Sequence, residues 1–129
     1  MQSRHVTWVG WILTGLPSAL LLASAAMKLF GAPGLSEGFA HLGWPVGLAV
    51  PLGILEVAVT LVYLVRRTSV LGAILVTGYM GGAIATHVRV GDPYYVQIGI
   101  GIAVWAGVYL REPRLRSLIP LRSPAAGPG

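Results

Sequence analysis

The chain has 129 residues, of which 55% are hydrophobic and only 10% are charged, whereas about a quarter of the residues of an ordinary soluble domain are charged. This composition indicates an integral membrane protein and argues against a soluble enzyme or a disordered chain. The formal net charge is +5 and there is no cysteine, which excludes disulfides, thiolate metal sites and thiol redox chemistry. Because the basic residues stand at the ends of apolar runs, no nucleic-acid binding is expected.

The first apolar run, residues 6–30, predicts a membrane-spanning helix with a kink at Pro17. A signal peptide is the alternative, because Ala23-Ser24-Ala25 is typical of a signal-peptidase site and cleavage there would leave Ala26 as the first residue. The run is longer than the roughly 7–15 apolar residues of a usual signal peptide. The pattern therefore favours a helix that stays in the protein.

The connection that follows predicts a short amphipathic helix on the outer membrane face. Leu35, Phe39 and Leu42 recur at helical spacing. Ser36 is expected to cap this helix, and Glu37 favours its N-terminus.

Three further apolar runs cover residues 46–65, 70–88 and 94–110. At about 1.5 Å per residue each can cross a hydrocarbon core of roughly 30 Å, the last only just. Backbone groups in lipid must be satisfied internally, so the runs are expected to be helices. The sequence predicts an all-α fold: a four-helix transmembrane bundle in one domain over residues 1–110, with the short amphipathic helix between helices 1 and 2. Residues 111–129 are expected to form a basic, disordered cytoplasmic tail.

Small residues recur every four positions on helices 3 and 4. The stripes are Gly78, Gly82 and Thr86 on helix 3, and Gly99, Ala103 and Gly107 on helix 4. Small residues at this spacing let helix backbones approach closely in lipid. Close packing within one chain is the favoured interpretation, and a homodimer interface is the alternative.

The distribution of positive charge predicts the topology. In a four-span layout seven arginines share one side of the membrane: Arg4, Arg66, Arg67, Arg111, Arg114, Arg116 and Arg122. Only Lys28 and Arg89 fall on the other side. The positive-inside rule then predicts a multi-pass protein of the bacterial cytoplasmic membrane with both termini in the cytoplasm.

The polar residues inside the spans are the candidate functional residues. Glu56 lies in the centre of the second span, where an acidic side chain costs roughly 3 kcal/mol. Tyr79 lies at a similar depth on the next span, which predicts a hydrogen bond from its hydroxyl to Glu56. Lys28 is either a counter-ion to Glu56 or a lysine reaching to the interface. Their backbone depths differ by roughly 12 Å, so direct pairing needs a deeper first span or a bridging water.

His87 and Gln97 stand at the same outer end as Lys28. We therefore expect Lys28, Glu56, Tyr79, His87 and Gln97 to line one ligand-binding cavity that opens outward, with all but Gln97 as the candidate catalytic residues. No metal site is predicted, because His41, His87 and Glu56 lack paired ligand spacing. The sequence leaves open which cofactor, if any, is bound.

Four segments give the chain its resemblance to a known family. They are Ala26-Met27-Lys28-Leu29-Phe30, residues 37–45, Leu52-Gly53-Ile54-Leu55-Glu56 and residues 81–89. In order and spacing, residues 8–110 resemble the DoxX-like family of small four-span bacterial membrane proteins. The resemblance implies a four-helix membrane bundle, and the Lys and Glu of the family pattern fall on Lys28 and Glu56. Some relatives are subunits of thiosulfate:quinone oxidoreductases or associate with membrane redox complexes.

The leading functional hypothesis is a pocket for a lipophilic, quinone-like ligand in an accessory subunit of a membrane redox complex. Its partners would be membrane lipid, the lipophilic small molecule and a redox subunit. The alternative is a cofactor-independent enzyme in which Glu56 is the acid for isomerisation, cyclisation or epoxide opening of a lipophilic substrate. A third hypothesis is a structural protein in which the polar residues only fix helix register.

Overall fold

The computed structural model describes residues 3–124 of the chain. The helices are α1 (Arg4–Phe30), α2 (Leu35–Leu42), α3 (Ala49–Leu64), α4 (Ser69–Arg89), α5 (Tyr95–Arg111) and α6 (Pro113–Arg116). No strand occurs within residues 3–124. The prediction of an all-α, four-helix transmembrane bundle with a short helix between its first two long helices is confirmed.

Length and composition allow most of the long helices to cross a membrane. Arg4–Phe30, Val46–Leu64 and Arg66–Arg89 are long and apolar enough, the last two including a short 3-10 turn before α3 and α4. α5 is apolar but has only 17 residues, or about 26 Å of helix, which is the lower limit for spanning the hydrocarbon core.

The four long helices form a ring in which α1 and α4 each contact α3 and α5. We call the end with the start of α1, the α3–α4 turn and the end of α5 the terminal end, and the opposite end the α2 end. Side chains that meet inside the ring include Leu21, Val76 and Val104, each at most 1% exposed. The core therefore lies between the helices, and the outer faces carry exposed apolar side chains suited to lipid.

Helices approach most closely at the terminal end. A Cβ atom at Gly72 would lie 2.2 Å from the Tyr63 Cα, and one at Gly107 would lie 2.6 Å from the Thr14 Oγ1. Gly107 thus packs within the chain, as its stripe predicts. Gly78, Gly82 and Gly99 do not: no atom lies within 4 Å of a Cβ built there, because these stretches of α4 and α5 face away from their neighbours or onto open space.

A cluster of polar side chains fills the same end. The buried Tyr63 hydroxyl donates to the Val104 carbonyl at 2.7 Å, and Thr14 Oγ1 donates to the Gly10 carbonyl at 2.8 Å. Arg111 Nε donates to Thr14 Oγ1 at 3.0 Å, and its guanidinium lies 4.2 Å from the Trp11 ring centre. These contacts join α1, α3 and α5 by hydrogen bonds as well as by packing.

The short helix α2 lies between two glycines with positive φ. Gly34 is its N-cap with φ 83° and Gly43 its C-cap with φ 79°, a conformation that favours glycine. The prediction that Ser36 caps α2 is wrong, because Gly34 turns the chain two residues earlier and Ser36 lies inside the helix. Phe39 is buried beneath α2.

The region expected to be a disordered tail begins with ordered structure. In α6, Glu112 accepts hydrogen bonds from the Arg114 backbone and side chain, which hold the pKa of the Glu112 carboxyl below its usual value. Leu115 is 5% exposed and packs on the core, an apolar contact that the basic composition of the segment conceals. The last part of the predicted tail, residues 125–129, lies outside the described residues.

Candidate functional site

Lys28 and Glu56 form an ion pair inside the bundle. The Lys28 Nζ lies 3.1 Å from the Glu56 Oε1, and the two side chains are 18% and 2% exposed. Lys28 Nζ also donates to the Ser24 Oγ at 2.6 Å. Of the two interpretations of Lys28, the structure thus shows the counter-ion and a direct contact that needs no bridging water.

Two features of the backbone bring the pair together. α3 begins at Ala49, so Glu56 lies only about 10 Å along that helix from its start. One turn before Glu56, α1 and α3 are in contact: a Cβ atom at Gly53 would lie 2.9 Å from the Leu29 Cγ and 3.2 Å from the Ala25 carbonyl oxygen. The later start of α3 and this close approach reduce the separation that apolar run lengths alone suggest.

Tyr79 lines the same cavity as Glu56 but does not bond to it. No hydrogen bond within residues 3–124 joins the Tyr79 hydroxyl to the Glu56 carboxyl, so that prediction is wrong. Lys28 and Ser24 from α1 surround the carboxyl instead. The equal depth of two residues on adjacent helices does not fix the direction of their side chains.

His87 and Gln97 form a second polar group, near the end of α4 and the start of α5. The His87 Nδ1 lies 2.7 Å from the Ala83 carbonyl, and because a carbonyl only accepts, Nδ1 carries the hydrogen. In the neutral ring Nε2 is then an acceptor, and the Gln97 Nε2 lies 3.5 Å from it. The Gln97 Oε1 is buried without a hydrogen-bond partner among the described residues. It is therefore an unsatisfied buried acceptor, an atom that native proteins normally pair with a water or another polar group.

A cavity of about 570 Å³ joins these groups, a size typical of small-molecule sites. Its wall includes all five side chains that the sequence predicts: Lys28, Glu56, Tyr79, His87 and Gln97. The rest of the wall is mainly apolar and comes from every long helix. The structure thus brings the predicted residues together, and their role in binding or catalysis stays a prediction.

Helix α2 covers the cavity at the α2 end. Phe39, Leu42 and Trp44 line the cavity from this side. The His41 Nε2 lies 2.8 Å from the Asp92 Oδ2, which ties α2 to the α4–α5 loop. Arg89 donates to the Leu42 carbonyl and lies 5.6 Å from the Trp44 ring centre.

Sequence reasoning missed the roles of Ser24, Trp44 and Asp92. Ser24 stands one helical turn before Lys28, a spacing that places both on one helix face and could have indicated the contact. Asp92 carried no such signal, since its partner His41 is 51 residues away.

The structure gives no support for a metal site. Within residues 3–124 no group of three His, Cys, Asp or Glu side chains lies close enough together to hold an ion. His41 binds Asp92 outside the bundle, whereas Glu56 binds Lys28 inside it.

Residues 12–109 match the model of the DoxX-like family. No curated protein and no solved structure matches the chain. The matched segment includes α2, α3, α4, most of α1 and α5, and every residue of the ion pair and the cavity polar groups. Together with its apolar helices this match identifies a small integral membrane protein, and the chain belongs to the DoxX-like family.

Proposed function

We propose that this protein binds a lipophilic, quinone-like molecule in the cavity as an accessory subunit of a membrane redox complex. The observation that carries the proposal is a mainly apolar cavity lined by a buried ion pair and by Gln97, whose Oε1 has no hydrogen-bond partner among residues 3–124. Apolar walls with a few convergent polar groups are typical of sites for lipophilic ligands.

The polar groups suit a head group that both accepts and donates hydrogen bonds. The Lys28 ammonium has three N–H groups, of which two point to Ser24 and Glu56. The third can donate to a quinone carbonyl. A quinol hydroxyl can donate to the Glu56 carboxylate, so the oxidised and the reduced ligand each find a hydrogen-bond partner in the site.

The same groups can exchange protons with the ligand. Reduction of a quinone consumes two protons for each two electrons, and Lys28 and His87, which both carry N–H groups, line the cavity. The chain itself has no cysteine to hold an iron–sulfur cluster or to form a redox disulfide. The proposal therefore assigns electron transfer to a partner subunit and head-group binding to this one.

The proposed location is the bacterial cytoplasmic membrane with both termini in the cytoplasm. The basic side chains cluster at the terminal end, whereas only Lys28 and Arg89 belong to the α2 end, and the positive-inside rule orients the bundle accordingly. A reporter that works only in the cytoplasm should be active when it is fused to the C-terminus, and one that works only outside the cytoplasm should be inactive there. The opposite result would mean that the orientation is reversed.

The ion pair gives less support to acid catalysis by Glu56. A general acid must carry a proton to deliver to its substrate, whereas the Glu56 Oε1 accepts a hydrogen bond from the Lys28 ammonium at 3.1 Å. The geometry thus favours Glu56 as an acceptor over Glu56 as the acid of a cofactor-independent enzyme.

Purified protein from native membrane tests the proposal. We expect bound quinone in organic extracts of the wild type and a loss of at least about tenfold in quinone content for Glu56→Gln, which corresponds to about 1.4 kcal/mol. Glu37→Gln is the matched control, because Glu37 is exposed on α2 and does not line the cavity. Equal quinone content and equal recovery of redox subunits in all three proteins would refute the proposal.

A further inference from the structure

A second groove runs along the outside of the α4–α5 seam. It has a volume of about 670 Å³, and its wall is mainly apolar. From Gln97 near the start of α5 it extends to Tyr109 near the end of that helix, a distance of about 18 Å along the helix axis. The groove therefore follows the α4–α5 seam from the α2 end almost to the terminal end.

Small residues make the space in this groove. Gly81 and Gly101 line it, and a Cβ atom at either position would meet nothing within 4 Å. The groove also has few free polar groups: the Trp105 Nε1 donates to the Thr77 Oγ1 at 2.6 Å, and Thr77 in turn donates to the Ala73 carbonyl. A surface whose polar groups bind one another offers packing to an apolar chain and little to a head group.

The groove and the cavity share two lining side chains. Met80 and Gln97 line both. Methionine is unbranched and adapts its shape readily, and the Gln97 Oε1 at this junction has no partner among residues 3–124. The amide side chain of Gln97 thus lies where a polar head would end and an apolar tail would begin.

We propose that the two spaces form one site for a single amphiphile with a hydrogen-bonding head and a long apolar tail. The head lies in the cavity between Lys28 and Gln97, and the tail passes Met80 into the α4–α5 groove. This inference rests on the proposed function, and it adds that the protein selects its ligand by the tail as well as by the head.

Tail length in a matched pair of quinones tests the inference. The probes are ubiquinone with its long isoprenoid tail and the tailless dimethoxy-methyl-benzoquinone, titrated against purified protein in one detergent. Comparing the ratio of the two affinities between variants cancels the partitioning of each probe into detergent. Gly101→Leu places a side chain in the open groove, and Gly99→Leu is the matched control, because Gly99 is equally open but lines neither space.

We expect Gly101→Leu to weaken ubiquinone binding by about tenfold, with the tailless probe and the Gly99→Leu control unchanged. Gly81→Leu on the opposite wall should have the same effect, and it replaces Gly101→Leu if that variant does not fold. If the groove variants weaken both probes equally, or neither, the tail does not occupy the groove and the inference is overturned while the head-group site stands. If neither probe binds the wild type, the proposed function fails and this inference with it.

Discussion

The two halves of the bundle are built on opposite principles. At the terminal end, glycines bring backbones into contact at Gly72 and Gly107, and Tyr63 and Thr14 bind carbonyls of their own or a neighbouring helix. At the α2 end the long helices enclose the 570 Å³ cavity although α1 and α3 touch at Gly53, and the Gln97 Oε1 has no partner among the described residues. Both halves carry buried polar groups: those of the first half join helices to one another, whereas Lys28 and Glu56 of the second half line the cavity.

Each half of the bundle also contains a polar group that does not fit this contrast. Arg111 at the terminal end has a buried Nη2 without a partner among the described residues, although its guanidinium stacks on Trp11. Lys28 and Glu56 at the α2 end neutralise each other, so the ion pair also holds α1 against α3. The pair must therefore have a structural share, and the mutations below separate it from the binding role.

The largest effect is expected from breaking the ion pair. Glu56→Ala leaves the mostly buried Lys28 without its counter-ion, which typically costs about 3–5 kcal/mol in folding free energy. The double variant Lys28→Met, Glu56→Leu replaces the pair by apolar groups and should recover most of that loss. Denaturant unfolding in detergent measures both effects.

The double variant also separates fold from function. We expect it to fold with near wild-type stability and to lose quinone binding, because it keeps the packing but removes the polar groups. If it folds and still binds quinone, the pair serves only the structure, as the third hypothesis from the sequence holds.

The second-largest effect is expected from disturbing the close packing at the terminal end. Gly72→Ala places a Cβ atom 2.2 Å from the Tyr63 Cα, so α3 and α4 must separate, at a cost of about 3 kcal/mol. Gly78→Ala on the same helix is the control, since nothing lies within 4 Å of its Cβ. Equal thermal stability of the two variants would contradict the difference in packing between the halves.

The third-largest effect is expected from removing the hydroxyl group of either of two tyrosines, Tyr63 and Tyr79. Tyr63→Phe removes the hydrogen bond to the Val104 carbonyl and should cost about 1 kcal/mol, with ligand binding unchanged. Tyr79→Phe removes a hydroxyl that lines the cavity, so it should leave stability unchanged and alter ligand affinity. Loss of stability in Tyr79→Phe alone would reverse the assignment of the two halves.

The sequence predicts the helix extents and the cavity-lining residues, but it overestimates the difference in depth between Lys28 and Glu56. Helix extents and the set of five cavity residues follow from counting along apolar runs, because helix rise converts residue number into depth. The rotation of each helix about its axis does not follow from such counting. This rotation places Lys28 and Ser24 around Glu56 and turns the Tyr79 hydroxyl away from a hydrogen bond with it. Contacts between distant loops, such as His41 with Asp92, have no periodic signal and only appear in the folded chain.

The smallest effect concerns the attachment of α2 over the cavity. Asp92→Asn removes the charge that binds His41, in an exposed pair that is worth at most about 1 kcal/mol. Arg89 still holds the Leu42 carbonyl, so we expect global stability to stay the same while amides of α2 exchange hydrogen about twofold faster, equivalent to roughly 0.4 kcal/mol.

Glu37→Gln, on α2 itself but without an ion pair in the described residues, should leave exchange unchanged. Faster exchange in α2 together with faster quinone release would show that this helix controls access to the cavity. Unchanged exchange would mean that Arg89 and the buried Phe39 hold α2 without the contact between His41 and Asp92.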